Sequence, residues 1–187
     1  MQTPATPFPP KETGLTLIEL VITVTILLTL ISFGVPSFRN MIIKNQQRSE
    51  INSFVQHFHL ARSQAITKET HHILCPSVDG ETCLATTDWK RGFILFEDRN
   101  RNKIKDRDEL LQGSHHPGEW VGINIHSSSG RNRVVYQGDG RPSGYNLTLT
   151  FCDPDNLIPP KAVIVNNVGR VRVSEVGPSD SPLSCNR

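Results

Sequence analysis

The first long hydrophobic segment of the chain carries a single charge. Residues 15–35 comprise 21 positions, and Glu19 is the only ionisable side chain among them. As a helix, this segment would be about 32 Å long, close to the roughly 30 Å hydrocarbon core of a bilayer. After Pro36, and apart from the polar interval KNQQRSE, apolar side chains recur at helical spacing at Phe38, Ile42, Ile51, Phe54 or Val55, Phe58, Ala61 and Ala65. We therefore predict one long helix, transmembrane over residues 15–35 and amphipathic over 36–67.

Beyond residue 70 the pattern changes from helical spacing to short alternating runs separated by Gly, Pro, Asn and Asp. The predicted strands are HHILC, GFILFED, ELLQ, VGINIHS, RVVYQ, LTLTFC, KAVIVN and RVRVS. A long helix followed by an antiparallel sheet predicts an α+β fold. Residues 68–187 are then a soluble, β-rich domain.

Cysteine usage places this domain outside the cytosol. Cys75, Cys83, Cys152 and Cys185 lack the paired C-x-x-C spacing of a zinc site, and an even number of cysteines behind an export-type segment favours two disulfides. Three pairings are possible, and we prefer Cys75 with Cys83 and Cys152 with Cys185. The 20 Lys and Arg residues nearly balance the 18 Asp and Glu residues, so an anionic partner can be argued only locally.

Glu19 requires an explanation, because an ionised carboxylate in lipid costs at least a few kcal/mol. No small-x-small cleavage site follows the apolar run, so we expect the segment to be retained. A cut between Gly14 and Leu15 would instead free an α-amino group that could neutralise Glu19.

The stretch KETGLTLIELVITVTILLTLISFGVPSF resembles the processing site and first helix of type IV pilins and type II secretion pseudopilins. Leu15 stands where phenylalanine is more usual. The resemblance implies that a prepilin peptidase removes the leader 1–14 after Gly14, that the new amino terminus is methylated, and that Glu19 docks the subunit among other major and minor pilins. The protein would lie in the bacterial inner membrane with a periplasmic domain, and then in an extracellular pilus.

Segments of the predicted soluble domain resemble one group within these pilin-like proteins. DWKRGFILFEDRNRNKIKDRDELL, VVYQGDGRPSG, LTFCDP and VGRVRVS are similar to the soluble domain of the FimT/GspH group of minor pilins. Together with the N-terminal motif, these segments cover most of the mature chain. The resemblance implies the pilin fold, in which a long helix packs on an antiparallel sheet.

One acidic stretch suggests a metal. Asp98, Asn100, Asn102, Asp106 and Glu109 have the spacing of calcium ligands in an EF-hand loop. Lys103 occupies the position of the required turn glycine, and the flanking segments are predicted strands. Calcium is therefore a weak candidate, a solvated hairpin tip is the favoured interpretation, and we expect no other cofactor. The chain lacks recognisable catalytic motifs, so we expect no enzymatic activity.

The segment NNVGRVRVSE predicts a turn followed by a strand in which Arg170 and Arg172 share one face. The two guanidinium groups would be about 7 Å apart, a spacing similar to that of successive phosphates on a nucleic-acid strand. Taken alone, such a strand is more often a solvated outer face.

GRVR also resembles the Gly-Arg-x-Arg element with which FimT-type minor pilins of competent bacteria bind double-stranded DNA. The resemblance implicates Gly169, Arg170 and Arg172, while Arg187 and Lys161 could widen the surface. We therefore predict a minor pilin of a type IV pilus that binds DNA phosphates during natural transformation. The alternative is a structural minor pseudopilin of a type II secretion system, or an assembly pilin that does not bind DNA.

Overall fold

The computed structural model describes Gly14 and residues 16–118, 122–128, 130–144 and 146–185. The helix α1 spans Leu17–Lys68, ends one residue beyond the predicted boundary and continues through Pro36. Two compact units divide the chain, Met1–Arg39 and Asn40–Arg187. Leu15, the predicted first residue after processing, lies outside the described residues.

In the first unit, Thr16 caps the helix. The backbone N–H of Glu19 donates to Thr16 Oγ1 at 3.3 Å, and the N–H of Leu20 donates to the Thr16 carbonyl at 3.2 Å. Glu19 therefore lies in the first turn, where the helix dipole favours a carboxylate. The helix includes an 18-residue window with a mean hydropathy of 2.3, so it could cross a membrane by length and composition.

The described residues of the second unit form eight strands, one in each predicted run. They are β1 (His71–Pro76), β2 (Phe93–Asp98), β3 (Leu111–His115), β4 (Asn124–Ser127), β5 (Val134–Tyr136), β6 (Leu147–Cys152), β7 (Lys161–Val165) and β8 (Val171–Ser174). The strands form two antiparallel sheets instead of the single sheet that the sequence led us to expect. The first sheet has the order β3-β2-β1-β5, and the second has the order β4-β6-β7-β8.

The second half of α1 supplies the core between the two sheets. Phe54 is fully buried. The centroid of its ring lies 4.4 Å from the ring centroid of Phe93 in the first sheet and 5.4 Å from that of Phe151 in the second sheet. Ile51, Phe58, Ala61 and Ala65 are buried on the same helix, as predicted, whereas Phe38 and Ile42 are exposed. The helix therefore packs on both sheets of an α+β domain.

The cysteines form the two disulfides that we preferred, Cys75–Cys83 and Cys152–Cys185. The second disulfide ties the C-terminal tail to the end of β6. A cavity beside the tail is lined by His126, Thr148 and Thr150 together with tail residues 181–184, and His126 Nε2 lies 3.3 Å from the Ser184 carbonyl oxygen. The tail therefore covers part of the outer face of the second sheet.

Candidate functional site

A tight turn connects β7 to β8 and positions the predicted DNA-binding residues. The N–H of Gly169 donates to the carbonyl of Asn166 at 2.9 Å, and the N–H of Asn166 donates to the carbonyl of Arg170 at 3.1 Å. The side-chain oxygen of Asn166 accepts two further bonds, from the N–H groups of Val168 and Arg170. Asn166 thus fixes the backbone from which Arg170 projects.

Gly169 is buried and acts through its backbone. Its φ is +79°, in the left-handed region that favours glycine. A Cβ at this position would lie 2.4 Å from the carbonyl oxygen of Gly140 and 3.2 Å from Cε1 of Tyr136. Gly169 therefore shapes the turn and lets it pack against the neighbouring loop, and it offers no surface for direct contact with a ligand.

Arg170 and Arg172 lie on an exposed edge. Strand β8 is an edge strand of the second sheet. Arg172 pairs with Ile164 of β7, so the side chains of Arg172 and Ile164 lie on the same face of the sheet, its outer face. Val171 points the other way and packs against the core. Arg170 directly precedes the strand, two residues from Arg172, and both arginines are exposed. If the alternation of the strand continues back to Arg170, the two guanidinium groups project on the same side.

The charge of this pair is not neutralised within the described part of the chain. Nη1 of Arg172 donates to Ser174 Oγ at 3.4 Å, which is a neutral contact. Among the described residues, neither Arg170 nor Arg172 forms an ion pair with a carboxylate. The pair, which we call the arginine ridge, is therefore available to an external anion.

Lys161 does not extend this ridge. It lies three residues before Ile164 on β7, so strand alternation places it on the face opposite Arg172. Its Nζ pairs with Glu175 Oε1 at 3.0 Å, beside a cleft that Lys44 of α1 also lines. The expectation that Lys161 widens the surface is therefore not supported by its position. Arg187 lies outside the described residues.

The candidate calcium loop between β2 and β3 satisfies its carboxylates internally. Asp98 and Glu109 are both buried. Asp98 accepts the N–H groups of Asn102 and Lys103, each at 3.1 Å, and Glu109 accepts those of Arg99 and Asp106 at 2.9 and 3.1 Å. The side-chain amides of Asn100 and Asn102 both donate to Asp106 Oδ2 at 2.8 Å. In the described ranges, no group of three or more His, Cys, Asp or Glu residues could hold a metal ion.

Two residues that stabilise the structure, Arg62 and Thr16, were not identified from the sequence. Arg62 of α1 donates from Nε to the carbonyl of Gly140 at 3.1 Å and so supports the loop on which Gly169 packs. Its position beside Ala61 and Ala65, at the border of the buried stripe, was an available signal. Thr16 was also missed, although Thr-x-x-Glu before an apolar run is a capping-box pattern.

Comparisons with known proteins agree with this fold. The family model described as type II transport protein GspH matches residues 50–174, which is more than half of the chain. No curated protein matches the sequence. The chain resembles the crystal structure of the type IV minor pilin FimU from Pseudomonas aeruginosa strain PAO1, with a TM-score of 0.58 and 16% identity, over 76% of this chain and 97% of that one.

A second similar structure is the minor pseudopilin EpsH of the type II secretion system from Vibrio cholerae, with a TM-score of 0.50 and 13% identity. That match covers 77% of this chain and 99% of the EpsH chain. At these identities the two likenesses concern the fold, whereas the family model matches the sequence itself. The chain therefore belongs to the GspH family and is a minor pilin or pseudopilin.

Proposed function

We propose that this protein is a minor pilin of a type IV pilus that binds double-stranded DNA for uptake during natural transformation. The observation that carries the proposal is the arginine ridge, in which Arg172 on the edge strand β8 and Arg170 directly before it are both exposed, without an acidic partner among the described residues. The resemblance of GRVR to the Gly-Arg-x-Arg element of FimT-type pilins supports the same assignment.

The ridge suits phosphate contacts. Each guanidinium group can bind a phosphate through two parallel hydrogen bonds, and residues two apart on a strand are about 7 Å apart. Such contacts carry no base-specific information. Binding is therefore expected to be independent of sequence, modest in affinity and sensitive to salt.

Assembly is assigned to the first unit. In this proposal, a prepilin peptidase cuts after Gly14 and the new amino terminus at Leu15 is methylated, while the precursor lies in the inner membrane. Glu19, in the first turn of α1, then helps dock the subunit onto other pilins. A Glu19→Ala variant is expected to be processed but absent from sheared filaments, whereas loss of processing as well would argue against a docking role.

The alternative is a pseudopilin of a type II secretion system that makes protein contacts only. The description of the matching family model, type II transport protein GspH, favours this second candidate. Secretion genes beside the coding gene would support the alternative, whereas pilus or competence genes would support the proposal. We propose no catalytic activity for either role.

A mobility-shift assay tests the ridge directly. The full chain in non-ionic detergent is mixed with a short duplex, and the wild type is compared with an Arg170→Gln/Arg172→Gln variant. Lys90→Gln/Arg91→Gln is a matched control, because it removes two exposed charges just before the start of β2. We expect the ridge variant to lose the shift and the control to retain it. A shift that survives in the ridge variant would reject this site.

A further inference from the structure

Four loops of the second unit contact one another in series. Nη1 of Arg133 donates to the carbonyl of Lys103 at 2.7 Å, which joins the β4–β5 loop to the β2–β3 loop. Arg133 also lines a small cavity with Pro142 and Val165, next to the β7–β8 turn. That turn packs on the β5–β6 loop through Gly169. Together the loops form a continuous surface.

This surface lies at the end of the unit where α1 terminates. Lys68, the last residue of the helix, pairs with Glu97 near the end of β2 at 3.0 Å. At the other end, the side-chain amide of Gln47 donates to the carbonyls of Phe151 and Pro159, each at 3.1 Å. The four loops are therefore remote from residue 40, the first residue of the unit.

Positive charge is concentrated in these loops. The segments 98–109, 130–133, 138–143 and 166–172 contain ten of the 20 Lys and Arg residues but five of the 18 Asp and Glu residues. Half of the basic side chains of a nearly neutral protein thus belong to this one end. Such a local excess attracts polyanions even when the net charge is small.

In the β2–β3 loop, two acidic side chains are buried, whereas most of the exposed charged side chains are basic. The carboxylates of Asp98 and Glu109 are buried against backbone N–H groups, whereas Arg101 and Lys103 are exposed. Both basic residues adopt a positive φ, 62° and 63°, in the turns that these carboxylates and the Asn side chains stabilise. Two of the four acids therefore fold the loop inwards, and the exposed charged side chains are mostly basic, with Arg99, Arg101, Lys103 and Arg107 against Asp108.

We propose that Arg101 and Lys103 form a second phosphate-binding pair, so that a DNA duplex lies across the end of the domain and contacts this pair together with the arginine ridge. The inference rests on the proposed function, and it names a part of the DNA surface that the Gly-Arg-x-Arg element does not include. Arg133 connects the two pairs. It donates to the carbonyl of Lys103, and it lines a cavity together with Val165 of β7. Val165 pairs with Val171, which lies between Arg170 and Arg172 in the sequence.

The dependence of affinity on salt tests the proposal, because it reports the number of phosphates neutralised. The logarithm of the binding constant falls with the logarithm of salt concentration by about 0.9 per phosphate. For the full chain in non-ionic detergent and a 30-base-pair fluorescent duplex, four contacts predict a slope of about −3.6, whereas the ridge alone predicts about −1.8.

The variants are Arg101→Gln/Lys103→Gln, Arg170→Gln/Arg172→Gln, and the control Lys90→Gln/Arg91→Gln. We expect each of the first two to halve the slope and the control to leave it unchanged. An Arg101→Asn/Lys103→Asn variant repeats the loop test with a residue that accepts positive φ more readily. Near-ultraviolet circular dichroism checks that each variant remains folded.

The outcomes separate the two proposals. If both loop variants retain the wild-type slope while the ridge variant loses affinity, the second pair is rejected and the proposed function stands. If the ridge variant binds like the wild type, the assignment of the ridge is rejected. If the folded wild type does not bind the duplex, both proposals fail.

Discussion

The carbonyl oxygen of Gly140 lies 2.4 Å from the point where a Cβ on Gly169 would stand. The β7–β8 turn therefore packs closely on the β5–β6 loop, and Nε of Arg62 on α1 donates a hydrogen bond to the same carbonyl. The direction of the arginine ridge thus depends on a residue without a side chain. A substitution of Gly169 is therefore expected to affect folding more than direct contact with DNA.

We expect Gly169→Ala to destabilise the second unit by more than about 2 kcal/mol, because it adds a steric overlap to the 1–2 kcal/mol cost of a left-handed alanine. Thermal unfolding, followed by tryptophan fluorescence to which buried Trp89 contributes, should show a midpoint lowered by at least about 5 °C. Gly130→Ala is the control, because Gly130 has a similar φ of +73° with no atom within 4 Å of its Cβ. Equal losses in the two variants would contradict the packing argument.

The two disulfides should differ in their contribution to stability. Cys152 and Cys185 are separated by 33 positions, and Cys75 and Cys83 by eight. Loop-closure entropy predicts a stabilisation of about 3.7 kcal/mol for the longer loop and about 2.5 kcal/mol for the shorter. Paired Cys→Ala variants, compared by urea unfolding, should therefore differ by about 1 kcal/mol. A larger loss on removing Cys75–Cys83 would contradict this ordering.

Buried His72 predicts a loss of stability in mild acid. Burial lowers the pKa of His72, although the carbonyl of Thr70 and the carboxylate of Glu97 act in the opposite direction. The unfolded chain therefore takes up a proton below about pH 6.5 that the folded chain resists, so stability falls as the pH drops through this range.

The free energy of unfolding at pH 7.5 and 5.5 tests this in the wild type and in a His72→Gln variant. We expect a smaller loss in the variant, because its residue 72 cannot titrate. His59→Gln, which removes an exposed imidazole on α1, should retain the wild-type loss. Identical losses in wild type and His72→Gln would exclude His72 as the source.

The loop between β2 and β3 should not respond to calcium. Each carboxylate oxygen of Asp98 and Glu109 already accepts one backbone N–H bond, and in the described residues no group of three or more His, Cys, Asp or Glu side chains is arranged to hold a metal ion. We expect no binding heat in calorimetric titration with millimolar calcium, and no change in the unfolding midpoint relative to a chelator. Saturable heat at a one-to-one ratio would restore the calcium hypothesis.

Local patterns predicted the elements well. The buried stripe from Ile51 to Ala65 has helical spacing, and each strand run alternates or is apolar throughout, so the sequence located α1 and all eight strands. One boundary was less accurate. The run ELLQ predicts a strand that includes Glu109, but its carboxylate is used to fold the preceding loop, and β3 begins at Leu111.

Pairing between distant segments was not predictable in the same way. Division of the strands into two sheets depends on how α1 separates Phe93 from Phe151, which no local pattern records. The position of Lys161 depends on its register against Glu175 across the β7–β8 turn, and sequence alternation alone did not fix that register. The meeting of the Lys103 and Arg133 loops is likewise a contact between separate parts of the chain.

The most direct test of the account is equilibrium binding of a fluorescent duplex to the folded wild-type chain at 50 and 200 mM salt. We predict saturable binding at the lower salt that weakens at the higher salt by about tenfold if two phosphates are contacted, and by more than a hundredfold if four are. The absence of binding at 50 mM salt, with the fold and both disulfides verified, would contradict the account and favour a structural pilin or pseudopilin.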